Sequence, residues 1–163
     1  MCTALTYSSK NFYFGRNLDL DLSYGEKVTV MPRNFSFPLR CESDLKNHYA
    51  LIGMALILDE CPLFFEATNE KGLSMAGLHF PNNAFYSEKS SQKINLAPYE
   101  LIPYLLGKCA CLDELKEQAE KLNVVALPFN EAMPLSPLHW IISDKTGSVT
   151  LESRKDGLKI FDN

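Results

Sequence analysis

No stretch of this sequence is both long and apolar. Hydrophobic runs such as residues 55–58 fall far short of a membrane span, and the chain does not open on a charged segment followed by an apolar core. A cytoplasmic location is therefore expected. Positive charge is also scarce: 16 Lys and Arg against 20 Asp and Glu leave a net charge of −4. Without a basic excess the chain can neither displace counterions from nucleic acid nor meet acidic lipid headgroups, so nucleic acid and membrane are not expected partners. The five cysteines are odd in number and irregularly spaced, which fits reduced thiols better than a disulfide framework. Cys109 and Cys111 have no histidine close by in sequence, so burial near a helix end explains them better than a metal site. Internal repeats, low-complexity tracts, a phosphate-binding glycine loop and a Ser-x-x-Lys motif are all missing, and no cofactor is expected.

What is present suffices for one globular unit. With 163 residues, 46% of them hydrophobic and 22% charged, the chain can bury about 70% of its unfolded surface, and residues 1–163 are expected to form a single domain. Residues 3–7 read as a strand, 8–11 as a polar turn, and Phe12-Tyr13-Phe14 opens a second strand. A hairpin of that register brings Arg16 and Asp19 back toward the chain start. Residues 28–31 alternate, are β-branched and stop at Pro32, which predicts a third strand. Residues 34–47 are polar and predict a surface excursion. The apolar run 49–58, which includes Gly53, suits either a strand covered on both faces or a short buried helix.

A turn at 59–62, a bulky cluster at 63–66, a turn at 69–72 and a small-residue strand at 73–78 follow. Residues 82–95 are polar and Ser-rich, hence a loop able to border a cleft. Residues 97–106 and 112–122 read as two helices covering one face of a sheet, with Pro98 in a first turn, Pro103 kinking the first helix and Asp113 capping the second. A short strand at 123–128 and a Pro-rich crossing lead to strands at 138–143, 148–153 and 158–161. His139 and Trp140 fall on opposite faces of such a strand, where packing accounts for both.

The residue types that carry chemistry stand at the start. If Met1 is removed, as the small side chain of Cys2 permits, Cys2 carries a thiol and a free α-amine together. A thiol of pKa about 8.5 is only slightly ionised at neutral pH, whereas an α-amine of pKa about 7.7–8.0 is partly free to take its proton. Such a cysteine can attack a carbonyl without a histidine. Position alone proves nothing, because chain ends are usually frayed; the weight comes from the surrounding motifs.

Those motifs are Met-Cys-Thr at 1–3, Phe-Gly-Arg-Asn-Leu-Asp at 14–19, Met-Pro-Arg-Asn-Phe at 31–35, Asn-Glu-Lys-Gly-Leu at 69–73, Ala-Gly-Leu-His-Phe-Pro at 76–81 and Leu-His-Trp-Ile-Ile-Ser-Asp at 138–144. In this order the chain resembles the choloylglycine hydrolase family, which comprises bile salt hydrolases and penicillin V acylases among the N-terminal nucleophile hydrolases. The resemblance implies an α+β fold, the αββα sandwich of antiparallel sheets between helices, of which this chain supplies about the first half.

It also implies an amide hydrolase with Cys2 as nucleophile, Arg16 and Asp19 orienting the terminus, and the main-chain N–H of His79 in the oxyanion hole. In the family Asn is typical of bile salt hydrolases at the His79 position and Tyr of penicillin acylases. His79 is neither, but a main-chain donor survives a change of side chain. Leu18, Phe65 and Leu78 are the implied acyl contacts. The expected substrate is a glycine- or taurine-conjugated bile acid, with penicillin V as the rival. Family members are about twice this length and carry further active-site residues in their second half, so the implied alternatives include an inactive fragment needing that half. A full-length domain is expected to be a homo-oligomer.

Overall fold

A computed structural model describes residues 2–163. The expected loss of Met1 concerns a residue outside that range. Among the described residues two sheets dominate. Strands β1 (Thr3–Ser8) and β2 (Phe12–Asn17) form an antiparallel hairpin of their own. Seven further strands, β3 (Lys27–Met31), β4 (Leu51–Leu58), β5 (Cys61–Asn69), β6 (Ser74–His79), β9 (Leu138–Asp144), β10 (Gly147–Arg154) and β11 (Gly157–Asp162), make an antiparallel sheet in the order β11-β10-β9-β6-β5-β4-β3. The short parallel pair β7 (Ile94–Leu96) and β8 (Leu122–Val124) brackets the helices α1 (Leu101–Lys108) and α2 (Leu112–Ala119).

Alternation along the strands sorts the large sheet into two unlike faces. Met75, Trp140, Ile142, Val149 and Leu151 share one face by register and are at most 1% exposed. Over this side α1 packs on β5 and β6 and α2 on β9 and β10, so the core lies between helices and sheet. The opposite face is open at its β3–β4 end, where Val28, Val30 and Ile52 are 70%, 63% and 51% exposed. The 49–58 run is thus a strand, but one covered on a single face.

Local chemistry explains the remaining departures from the sequence reading. Residues 34–47 do not simply cross the surface: Phe37 and Leu45 are buried and exchange backbone hydrogen bonds of 3.1 and 2.8 Å. Pro103 does not kink α1, because it sits in the first turn, where an N–H would have had no intrahelical acceptor. Asp113 does not cap α2 either. The cap position is Cys111, and the Leu112 N–H is taken instead by Asp144 from the end of β9 at 2.9 Å. Burial pushes the Asp144 carboxyl up, but hydrogen bonds from Thr146 and Leu112 outweigh it and hold the group below the usual carboxylate range. Leu122 ends the helical pattern as part of β8, and β7 overlaps the last two residues of the segment read as a loop.

Two close approaches set the centre of the sheet. A Cβ on Gly53 would lie 2.0 Å from the Glu66 carbonyl oxygen, next to the bulge between Met54 and Ala55, so only glycine lets β4 press on β5 there. Asn69, 4% exposed, joins the β5–β6 turn to the end of α1. Its Oδ1 accepts from the Lys71 and Leu73 N–H groups at 3.0 Å, and its Nδ2 donates to the Leu106 and Cys109 carbonyls at 2.8 Å. Replacing Asn69 with Leu strands four backbone groups, and urea titration of the variant is expected to show a loss of about 3 kcal/mol.

Candidate active site

The β1–β2 register pairs Thr3 with Asn17 and Ala4 with Arg16, so the hairpin folds its two ends together beside Cys2. Asn17 Oδ1 accepts the Thr3 N–H, and the Cys2 thiol lies 3.9 Å from the Asp19 carbonyl oxygen, a weak sulfur contact. Arg16 then carries the hairpin to the large sheet. Its side chain is 4% exposed; Nη1 donates to Glu66 Oε2 at 2.8 Å and Nη2 to the Gly77 carbonyl at 3.1 Å.

That second bond depends on where a ladder ends. Strand β5 pairs with β6 only from Thr68↔Ser74 to Glu66↔Ala76, so the edge of β6 beyond Ala76 is released on the β5 side. On the other side Phe80 N–H donates to Pro137 at 2.8 Å. Because an antiparallel strand turns successive N–H groups to opposite sides, the His79 N–H points away from β9, to the edge where Arg16 holds Gly77. A cationic fork and a main-chain donor therefore share one strand edge.

Beside this edge opens a largely apolar cleft of about 400 Å³. Cys2, Arg16, Asp19 and His79 all border it, as do Leu18 and Phe65. Leu78 does not: it alternates to the face opposite Gly77 and His79. Residues 82–95, expected to border a cleft, are absent from its walls; Tyr99 and Ile102 and the Pro-rich segment 127–136 form them instead. Glu66 was missed as the partner of Arg16. Its only sequence signal was a carboxylate directly after the bulky apolar run 63–65, a position where a charge needs a counterion. Trp140 packs as expected but also lines the cleft, while His139 stacks on Phe80 at 4.4 Å, where burial lowers its pKa and Glu152 opposes the shift.

The two buried cysteines, Cys61 and Cys109, have unsuitable surroundings for a nucleophile. Burial, with Glu100 nearby, pushes the Cys61 thiol up to about 11, and burial with Glu114 pushes Cys109 up to about 12. Cys2 borders the cleft without being enclosed by it.

The sequence profile of the linear amide C–N hydrolases of the choloylglycine hydrolase type matches residues 2–163. The chain belongs to the choloylglycine hydrolase family. It is 48% identical, over all 163 of its residues, to a bile salt hydrolase/transferase of Lactiplantibacillus plantarum and covers 50% of that protein. A conjugated bile acid hydrolase of Lactobacillus gasseri is 39% identical, with 53% of it covered. Among solved structures, a variant of the conjugated bile acid hydrolase of Clostridium perfringens superposes with a TM-score of 0.93 at 38% identity, over all of this chain and 51% of the other. The penicillin V acylase of Agrobacterium tumefaciens shares the fold at a TM-score of 0.75 and 18% identity, over 99% of this chain and 49% of the other. The fold is thus the α+β arrangement of N-terminal nucleophile hydrolases, represented by about half of it. The chain spans about half the length of the curated relatives it matches.

The buried Arg16–Glu66 pair makes a direct prediction for this choloylglycine hydrolase-type chain. Removing one partner leaves the other as an uncompensated charge, so Arg16→Leu is expected to lower stability by about 3 kcal/mol. Arg16→Lys is expected to recover only part of this, since an ammonium cannot present the flat fork that reaches Glu66 and the Gly77 carbonyl together. Urea unfolding of both variants measures the difference.

Proposed function

We propose that residues 1–163 form the nucleophile-bearing half of a choloylglycine hydrolase-type domain that cleaves the amide of conjugated bile acids. With Met1 removed, the α-amine of Cys2 takes the thiol proton as sulfur attacks the amide carbon. The resulting oxyanion is held in part by the His79 N–H, which lies beside the Arg16-bound Gly77 carbonyl. Collapse expels glycine or taurine, protonated by the Cys2 ammonium, and leaves a thioester that water hydrolyses. Asp19 orients the terminus, and Leu18 and Phe65 receive the apolar acid. No metal, cofactor or nucleic acid takes part, and the site of action is the cytoplasm.

The observation that carries this reading is the convergence of Cys2, Arg16 and the free edge of β6 on one apolar cleft. A bile acid is preferred over penicillin V because the L. plantarum and C. perfringens relatives named for bile substrates are 48% and 38% identical, against 18% for the acylase. A specific observation also favours the chain being inert alone. Val28, Val30 and Ile52 leave one sheet face apolar and bare, and the β1–β2 hairpin pairs with no other strand among the described residues.

Hydrolysis of glycocholate, taurocholate and penicillin V should be assayed with this chain, with and without a polypeptide matching the remaining half of the L. plantarum relative. Bile salt cleavage is expected on mixing the two halves and should vanish with Cys2→Ser or with Met1 retained. A Met1-bearing chain that cleaves glycocholate at the rate of the processed one would contradict the mechanism.

A further inference from the structure

The segment 127–136 lines the cleft yet has almost no structure of its own. Within it only Asn130 and Met133 bridge, the Met133 N–H reaching the Asn130 carbonyl at 3.2 Å and its Oδ1 at 2.9 Å. Its position must therefore be imposed from outside. At the far end Tyr86 does this: its hydroxyl donates to the Ser136 carbonyl at 2.7 Å and accepts the Leu138 N–H at 2.9 Å.

At the near end the fastening is Arg40. Its guanidinium donates through Nη2 to the Phe129 carbonyl and through Nε to the Tyr99 hydroxyl at 3.2 Å, and it stands 6.0 Å from the centre of the Phe129 ring. The Tyr99 and Phe129 rings meet edge to face, 5.3 Å apart. Both line the cleft, one from the turn before α1 and the other from the unstructured segment. The main chain of Arg40 is itself anchored, because its N–H donates at 2.7 Å to Oε1 of the fully buried Glu100, whose Oε2 takes the Ala97 N–H at 2.7 Å. A flat fork is needed here, since two acceptors in different segments and one ring face must be met at once.

We infer that Arg40 is a positioning residue for substrate selection, fixing the Tyr99–Phe129 wall so that the cleft accepts a wide, rigid acyl group. This rests on the functional reading above. Arg40 itself touches no reacting atom; it acts through the two aromatic residues. A steroid acid must lie along the length of the wall, whereas a small aryl acid occupies only part of it, so loosening the wall penalises the wide ligand more. Burial, with Glu100 nearby, pushes the Tyr99 hydroxyl up to about 12, so it stays protonated and neutral as the partner of Arg40 throughout the physiological range.

Trp140 makes the inference testable without turnover, because it is the chain's single tryptophan and it lines the cleft. Cholate and phenoxyacetate are titrated against its fluorescence in the wild-type chain, Arg40→Gln and Arg40→Lys, with hydrogen exchange followed in parallel. Cholate affinity is expected to fall about fivefold in Arg40→Gln while phenoxyacetate affinity holds within about twofold. Arg40→Lys is expected to behave like Arg40→Gln. Exchange should rise in residues 127–136 and stay unchanged in β4 to β6, which separates a loosened wall from a damaged fold.

An unchanged ratio of the two affinities overturns the role of Arg40, whatever the exchange rates. If the wild-type chain binds neither acid, the selectivity role falls, whereas the functional reading stands or falls separately on the assay of the two mixed halves. If it binds both and the variants match it, Arg40 falls alone.

Discussion

A guanidinium withdrawn from water needs acceptors in its own plane, and Arg16 finds two on different strands of the large sheet. Glu66 supplies the counter-charge and Gly77 a carbonyl, both within 3.1 Å. The β1–β2 hairpin pairs with no other described strand, and the Arg16 side chain ties it to the large sheet. Nη1 and Nη2 are both satisfied while Nε is buried without a hydrogen-bond partner, so the pairing offsets only part of the cost of burying the charge. The position of Cys2 goes with it, since the register places Arg16 opposite Ala4 and Cys2 borders the same cleft as Arg16, Gly77 and His79.

Other features serve that arrangement at one remove. The glycine at 53 lets β4 close on β5 beside Glu66, which holds the carboxylate where Arg16 can reach it. The early end of the β5–β6 ladder leaves the Gly77 carbonyl and the His79 N–H unclaimed by β5. Asn69 locks the other end of the same two strands onto α1. Rigid tethers at one end and an unzipped edge at the other are a sound way to build a site, because the open backbone groups are held in place by the paired ones.

The sequence disclosed the strands better than their surroundings. Alternation and turn residues located the two hairpins at either end of the chain, because those signals are local. The resemblance supplied Cys2, Arg16, Asp19 and His79 as a set, and all four border one cleft. What stayed hidden depends on contacts between distant residues. Glu66 as a partner, Asp144 at the start of α2 and Arg40 on Phe129 are separated from their contacts by 50, 32 and 89 residues. Leu78 stands apart from the cleft lining for a simpler reason: a motif names neighbours together, while a strand sends them to opposite faces. The Pro-rich crossing looked like a mere connection, since nothing in its composition says that it walls a cleft.

The account stands on sulfur at the chain start being the atom that is acylated. The direct measurement is to mix the processed chain with its complementary half and an activated cholate ester, quench in acid, and map the acyl mass by peptide mass spectrometry. The account predicts a cholyl group on Cys2, absent from chains that keep Met1. A cholyl group on Cys41 or Cys111 instead, or equal labelling of the Met1-bearing chain, would contradict it.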